Sequence, residues 1–174
     1  SYAEAIRTQV PGVQYVAAGV DQGAQIVAGN QNWFSRVQGT DVELPMIRAW
    51  ATESGAFFTP SDVSSAAKVC VIGTTVRDML FPDGSDPVGQ MIRIRNQPFK
   101  IVGVMASRGQ SAMGQDQDDV IFAPYTTIQK KFRGITYIQS ITVSAASADN
   151  IKKVAEDIGS LLRARHRIQP DESD

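Results

Sequence analysis

The stretch MIRIRNQPFKIVGVM-ASRGQSAMGQDQDD-VIFAPY, residues 91–125, decides how this chain folds. In its first part, apolar and polar residues alternate on both sides of Asn96 and Gln97, which predicts two β-strands joined by a short turn. Its last part begins with a short apolar run, residues 120–123. That run predicts a buried strand ended by Pro124, because proline cannot donate to a strand ladder. The polar segment between them, residues 106–119, contains glycines and predicts an exposed loop of the kind that often carries function.

The size and composition of the chain are those of an ordinary globular protein. Its 174 residues, 43% of them hydrophobic, are enough to bury a core without disulfides or metals. The net charge of −1 argues against nucleic acid or an anionic membrane surface as a partner. The chain contains no run of about 20 apolar residues, so no membrane-spanning helix is predicted. Its single cysteine excludes an internal disulfide. Because the sequence starts at Ser1 without an initiator methionine, we expect it to be a piece of a larger protein.

The first forty residues predict a helix followed by antiparallel strands. The helix is predicted to end before Pro11, because Tyr2, Ile6 and Val10 recur at every fourth position there. Three strands are predicted after it, at residues 13–20, 24–28 and 33–37. The first two are predicted to form a hairpin whose turn is the Asp-Gln-Gly sequence at residues 21–23.

The remainder of the chain predicts short strands and helices in alternation. Thr59 suits the N-cap of a helix that has Pro60 at its first position. The other predicted elements are a strand at 69–72, a helix at 74–81, a helix at 126–132, a strand at 135–145 and a helix at 151–162. Ser147 or Asp149 can cap the last helix.

Helices and strands mixed in this way predict an α+β fold with two subdomains. One subdomain is predicted to be formed by both chain ends, residues 1–45 and 130–174. The second is a mixed, strand-rich unit inserted between them, residues 46–129.

Sequence motifs for the commonest catalytic and nucleotide sites are absent. The chain has no GxxxxGK[ST], GxSxG or HExxH motif and no paired cysteines. His166, the single histidine, lies among arginines at a predicted helix end, where a cation stabilises the helix dipole. Cys70 lies between valines and is predicted to be a small buried residue rather than a nucleophile. No catalytic site and no cofactor are therefore predicted.

Three aspartates in the polar loop, Asp116, Asp118 and Asp119, leave several interpretations open. They could ligate a hard cation such as calcium, but calcium needs six to eight oxygen ligands and three carboxylates fall short of that number. They could instead contact a partner protein, or serve as part of a plain structural loop. In the structural interpretation, one aspartate is expected to pair with Arg93, Arg95 or Arg108.

Several phrases along the chain together resemble one known family, the MacB-like periplasmic core domain of ABC transporter permeases. They are GAFFTPSDV at residues 55–63, VCVIG at 69–73, DPVGQ at 86–90, FKIVGV at 99–104, GQDQDDV at 114–120, PYTT at 124–127 and LLRARHRI at 161–168. The resemblance covers nearly the whole chain in order, and the GQDQDDV phrase is its most specific part. In that family a lysine often precedes Gly109, where this chain has Arg108.

The resemblance implies a porter-like α+β unit formed by both chain ends, with the mixed unit inserted in it. It also implies a periplasmic domain between the first two membrane helices of an inner-membrane permease that works as a homodimer. ATP hydrolysis by a separate cytoplasmic domain would drive export mechanically, through a periplasmic adaptor and an outer-membrane duct. Residues of the polar loop are then the predicted partner-binding set: Gln115, Asp116, Gln117, Asp118 and Asp119.

Two other functions stay open beside export. The chain could be a regulatory or lipoprotein-handling ectodomain of a related permease, or an independent hydrolase or metal-binding enzyme. Without its membrane helices, the isolated domain is expected to be a monomer.

Overall fold

The computed structural model describes residues 13–132, 140–145 and 151–168. Within them the strands are β1 (Val13–Ala28), β2 (Gln31–Thr40), β3 (Thr52–Gly55), β4 (Val69–Ile72), β5 (Met91–Ile94), β6 (Gln97–Met105), β7 (Val120–Pro124) and β8 (Ser140–Ala145). The helices are α1 (Leu44–Arg48), α2 (Pro60–Ser65), α3 (Thr74–Leu80), α4 (Tyr125–Lys131) and α5 (Ile151–Ile168). The predicted α+β class is confirmed.

Six strands close into a ring. Neighbouring strands follow the order β2-β7-β4-β6-β5-β1, and β1 pairs with β2 again. The β2–β7 and β4–β6 pairs are parallel, whereas β1 is antiparallel to both β2 and β5. Strand β3 pairs with β6, and β8 pairs with the first half of β1. Closure leaves the six strands with neighbours on both sides, which removes the exposed edges that promote aggregation.

Alternate residues of all six ring strands pack into one apolar core. Examples, one from each strand, are Ile26, Val37, Ile72, Ile94, Ile101 and Ile121. A second cluster packs on the opposite face of β4, β6 and β7. It contains Leu44, Trp50, Phe58, Val71, Met105, Val120 and Phe122. All of β7 is buried because it has a core on each face. This explains its continuous apolar sequence, since alternation is lost in a strand covered on both sides.

Strand β1 is one continuous strand of 16 residues, so the hairpin turn predicted at residues 21–23 is wrong. Its first half pairs with β8, and from Val20 onward it pairs with β2. The chain reverses at Gly29 and Asn30, where the φ of Gly29 is +60°, a conformation that costs glycine no steric penalty. Gly23 lies inside the strand instead, and the ring of Phe34 lies over it.

The predicted hairpin at the start of the 91–125 stretch is confirmed as β5 and β6. Its turn is Arg95–Asn96, one residue earlier than predicted, with φ values of +51° and +68°. Two consecutive positive φ angles are typical of the two-residue turns that match the twist of a hairpin. Ile92 and Phe99 are paired and buried, whereas Arg93 is exposed.

Some predictions lie outside the described residues. They are the helix end at Tyr2, Ile6 and Val10, the strand residues 135–139, and a cap at Ser147 or Asp149. The final helix itself is confirmed as α5. The division into one subdomain of residues 1–45 and 130–174 and a second of residues 46–129 stays a prediction. Strand β2, in the first of these, pairs along residues 36–40 with β7, in the second. No helix among the described residues is both long and apolar enough to cross a membrane.

Replacing Thr59 with alanine is expected to lower the free energy of unfolding by about 1 kcal/mol. The Thr59 hydroxyl accepts a hydrogen bond from Asp62 N at 3.2 Å, and the Asp62 carboxylate accepts one from Thr59 N at 2.9 Å. This capping box begins α2. Urea denaturation measures the loss, with Ser61→Ala as the control because Ser61 is exposed in the same turn. Equal losses in the two variants would contradict the capping role.

Candidate functional site

The candidate site is the β6–β7 loop, residues 106–119. It joins β6 to β7, the two strands that lie on either side of β4 in the ring. Ser111 N donates a hydrogen bond to Gln115 O at 2.7 Å, and Gln117 N donates one to Gly109 O at 3.0 Å. The loop is therefore closed across its width by backbone hydrogen bonds.

Asp118 is the buried carboxylate at the base of this loop, with 4% of its surface exposed. One oxygen, Oδ1, accepts a hydrogen bond from Arg108 N at 2.8 Å. The other, Oδ2, accepts from Gly109 N at 2.8 Å and from Ser107 Oγ at 3.1 Å. The Thr74 hydroxyl, at the start of α3, adds another hydrogen bond. Asp118 thus joins both ends of the loop to each other and to a helix.

Two opposing effects act on the pKa of Asp118. Burial raises the pKa, because the charged carboxylate loses water. Hydrogen bonds from the backbone N–H groups of Gly109 and Arg108 and from the two hydroxyls stabilise the charged form. They outweigh the effect of burial, so the pKa of Asp118 lies below that of an ordinary aspartate and the group is ionised at neutral pH.

The other two aspartates fasten the loop to different elements. Asp119 Oδ1 accepts hydrogen bonds from Trp33 Nε1 at 2.9 Å and from Ser35 Oγ at 2.7 Å, both on β2. Asp116 Oδ2 accepts one from Thr75 Oγ1 at 2.6 Å, in the first turn of α3. The loop is consequently held to β2 on one side and to α3 on the other.

The five predicted partner-binding residues lie in different environments. Gln115 and Asp116 are exposed, Gln117 and Asp119 are partly exposed, and Asp118 is buried. The three carboxylates accept hydrogen bonds from donors of this chain, so their structural role is to hold the loop in place. Partner binding by this set stays a prediction. No group of three or more histidine, cysteine or acidic residues in the described part of the chain is arranged to hold a metal ion.

The backbone N–H of Arg108 donates a hydrogen bond to Asp118. The sequence had suggested an ion pair between the Arg108 side chain and an aspartate instead. The Arg108 guanidinium lies 5.1 Å from the centre of the Trp50 ring and donates a hydrogen bond from Nη1 to Arg48 O at 3.1 Å. A guanidinium over an indole face is an attractive contact. This side chain therefore ties the start of the loop to the last residue of α1 and to Trp50, which follows that helix.

Cys70 lies in β4 and is completely buried, and burial raises the pKa of its thiol. A buried thiol in apolar surroundings is inert, as the sequence predicted. His166 lies in α5, and its side chain is outside the described part of the chain.

Sequence reasoning missed Met113, the large apolar side chain of this loop. Met113 is 90% exposed. A signal was present, because Met113 is a large apolar residue in the middle of an otherwise polar segment. Sequence reasoning also missed Trp33 and Ser35 as partners of Asp119, since nothing local in the sequence links β2 to this loop.

Comparison with known protein families gives one match over most of the chain. Residues 1–161 match the sequence model of the MacB-like periplasmic core domain. A macrolide export ATP-binding/permease protein MacB from Marinobacter nauticus is 36% identical over 92% of this chain. A pyoverdine export ATP-binding/permease protein PvdT from Pseudomonas fluorescens is 36% identical over 90% of it. The chain spans about a quarter of the length of these relatives, 25% and 24% respectively.

Two solved structures share the fold. The periplasmic region of MacB from Actinobacillus actinomycetemcomitans superposes with a TM-score of 0.82 and 22% identity, over 95% of this chain and 72% of that one. The extracellular domain of the noncanonic ABC-type transporter YknZ from Gram-positive bacteria superposes with a TM-score of 0.81 and 19% identity, over 95% and 82%.

Proposed function

The chain belongs to the MacB-like periplasmic core domain family, and from this premise we propose that it is the periplasmic part of an ABC-type export permease. In this proposal a separate cytoplasmic domain hydrolyses ATP, and the permease acts as a homodimer in the inner membrane. The periplasmic domain catalyses no reaction. It passes the movement of the membrane helices to a periplasmic adaptor, which directs the substrate into an outer-membrane duct.

The names of the relatives support export as the process. They give two different substrates, macrolides and pyoverdine. Since the same domain family serves both, we assign to this domain the coupling of movement to export and not the recognition of one substrate.

The observation that carries the proposal is the continuity of β1. This strand has 16 residues, so it extends for about 50 Å at the usual rise per residue. At Gly19 it is still paired with β8, and at Val20 its pairing with β2 and the ring begins. One unbroken strand therefore joins the two-stranded β1–β8 ribbon to the six-stranded ring. A hydrogen-bonded strand resists stretching, so displacement of the ribbon along β1 moves the ring.

A flexible insertion in β1 tests this coupling. Three residues, Gly-Ser-Gly, are inserted between Gly19 and Val20 of the full-length permease, which is expressed with its adaptor. We expect ATP hydrolysis to continue while export falls to that of a permease whose nucleotide-binding domain cannot hydrolyse ATP. The measurements are ATPase activity of the purified permease and substrate efflux from cells.

The matched control places the same insertion between Asp83 and Gly84, which are exposed between α3 and β5. That insertion should leave both activities unchanged. Circular dichroism of the isolated domain shows whether each variant is folded. Normal export by a folded variant with the β1 insertion would contradict mechanical coupling through this strand.

A further inference from the structure

The tip of the β6–β7 loop is a turn held by its backbone and by one hydroxyl. Ser111 O accepts a hydrogen bond from Gly114 N at 2.9 Å. The Ser111 hydroxyl accepts two more, from Met113 N at 3.3 Å and from Gln115 N at 3.2 Å. Gly114 has a φ of +80°, which a side chain would disfavour. The side chain of Met113 therefore takes no part in the hydrogen bonds that fix the turn.

The five methionines of the chain differ widely in exposure. Met113 is 90% exposed, whereas Met46 is 59%, Met91 58% and Met79 43% exposed. Met105, at the end of β6, is 1% exposed and belongs to the second apolar cluster. An oxidant dissolved in water therefore reaches the thioether of Met113 most readily and that of Met105 least.

A thioether in water reacts with two-electron oxidants such as hydrogen peroxide. The sulfur lone pair attacks one peroxide oxygen, and an S–O bond forms as the O–O bond breaks. The hydrogen of the transferred oxygen passes to the other oxygen, which leaves as water. The sulfur loses two electrons and the peroxide gains them. The product, methionine sulfoxide, is polar, so it disrupts an apolar core but is readily hydrated on the surface.

We propose that Met113 is a site of oxidative modification, where peroxides convert the thioether to a sulfoxide while the domain stays folded. The fold does not depend on this side chain, because it lies in water and the turn is held by Ser111 and Gly114. Oxidation makes polar the one large apolar side chain of the uncharged segment 109–115. The modification needs no adaptor and no transported substrate, so it goes beyond the proposed function.

Peroxide treatment of the purified full-length permease tests this site. The reaction is stopped at intervals with free methionine, and mass spectrometry of the peptides measures the sulfoxide fraction at each of the five methionines. We expect Met113 to react first, and at least about tenfold faster than the buried Met105. A rate at Met113 no higher than that at Met46 or Met91 would overturn the proposal.

The matched variants are Met113→Leu and Met91→Leu, each of which keeps the apolar volume but has no sulfur. Met113→Leu should lose the fastest phase of oxygen uptake in the peptides of this domain and leave the rate at Met46 unchanged. Met91→Leu should keep the fastest phase. Persistence of that phase in Met113→Leu would contradict the assignment to this residue.

Two further measurements show whether the fold sets this order of reactivity. In concentrated urea, where all five thioethers are exposed, their rates should become similar. An unchanged lead of Met113 in urea would mean that its sequence neighbours set its reactivity, and the structural inference would be wrong. After Met113 is fully oxidised in the folded protein, Met105 should stay protected. Rapid oxidation of Met105 at that stage would show that the sulfoxide opens the domain, which would also overturn the proposal.

Discussion

Replacing Asp118 with alanine is expected to lower the free energy of unfolding by about 2–4 kcal/mol. The substitution removes the acceptor of three hydrogen bonds, those from Arg108 N, Gly109 N and Ser107 Oγ. Hydrogen bonds to a charged group contribute more to stability than those between neutral groups, and the Asp118 carboxylate is itself buried. Urea denaturation of the purified domain at neutral pH measures the change.

Two further variants sharpen this test. Asp118→Asn keeps the size of the side chain but offers one acceptor oxygen where the carboxylate offers two, so we expect it to be destabilised as well. Asp78→Ala removes an exposed carboxylate that accepts a hydrogen bond from Arg77 Nε at 3.0 Å, and the loss there should stay within about 0.5 kcal/mol. A loss at Asp118 as small as that at Asp78 would contradict the structural role of the buried carboxylate.

The contribution of Asp118 is also expected to depend on pH. Because the pKa of Asp118 is lower in the folded chain than in the unfolded chain, the charged carboxylate favours folding. Its contribution is complete above the unfolded pKa, about 3.9, and is lost as the pH falls through the lower folded pKa. The difference in stability between the unchanged domain and Asp118→Ala should therefore be constant near neutral pH and shrink below about pH 4.

Another carboxylate titrates in the same direction and must be separated from Asp118. The backbone N–H and hydroxyl of Ser85 lower the pKa of Asp83. Asp83 is present in both the unchanged domain and Asp118→Ala, so its effect cancels in their difference. A difference that stays constant down to pH 2 would contradict the lowered pKa of Asp118.

Replacing Gly73 with alanine is expected to lower the free energy of unfolding by about 2–3 kcal/mol. A Cβ on Gly73 would lie 2.1 Å from Asp118 O and 2.8 Å from the Asp118 carbonyl carbon. Gly73 has φ −76° and ψ 166°, which any residue adopts, so the cost is steric. Gly73 N also donates to Val120 O at 2.9 Å, and moving Gly73 away from the clash would lengthen that bond.

The control for this substitution is Gly23→Ala. A Cβ there would lie 2.8 Å from Phe34 Cζ, the end of an exposed ring that can rotate aside. We expect a change within about 0.5 kcal/mol. The variant that combines Gly73→Ala with Asp118→Ala should lose less than the sum of the two, because both changes displace the backbone around Asp118, one through its carbonyl and the other through its carboxylate. A Gly73→Ala domain as stable as Gly23→Ala would show that the 118–120 segment can shift freely.

Local sequence patterns predicted most elements of this fold. The period of two in residues 91–104 predicted the β5–β6 hairpin, and Thr59 before Pro60 predicted the start of α2. These signals are reliable because they depend on side chains that are neighbours along the chain. The turn at residues 21–23 was the exception. A glycine within a strand and a glycine in a turn look alike in sequence, and only pairing with β2 distinguished them.

The sequence by itself determined the α+β class, the family and the absence of common catalytic motifs. Tertiary structure alone decided that six strands close into a ring, because alternation tells which face of a strand is buried and not which strand lies beside it. It also decided what each aspartate of the β6–β7 loop does. Asp119 finds its donor on Trp33, 86 residues away, while Asp118 is buried among donors near its own loop. Identical side chains at adjacent positions thus have different roles, because the role of a carboxylate depends on the donors that folding brings to it.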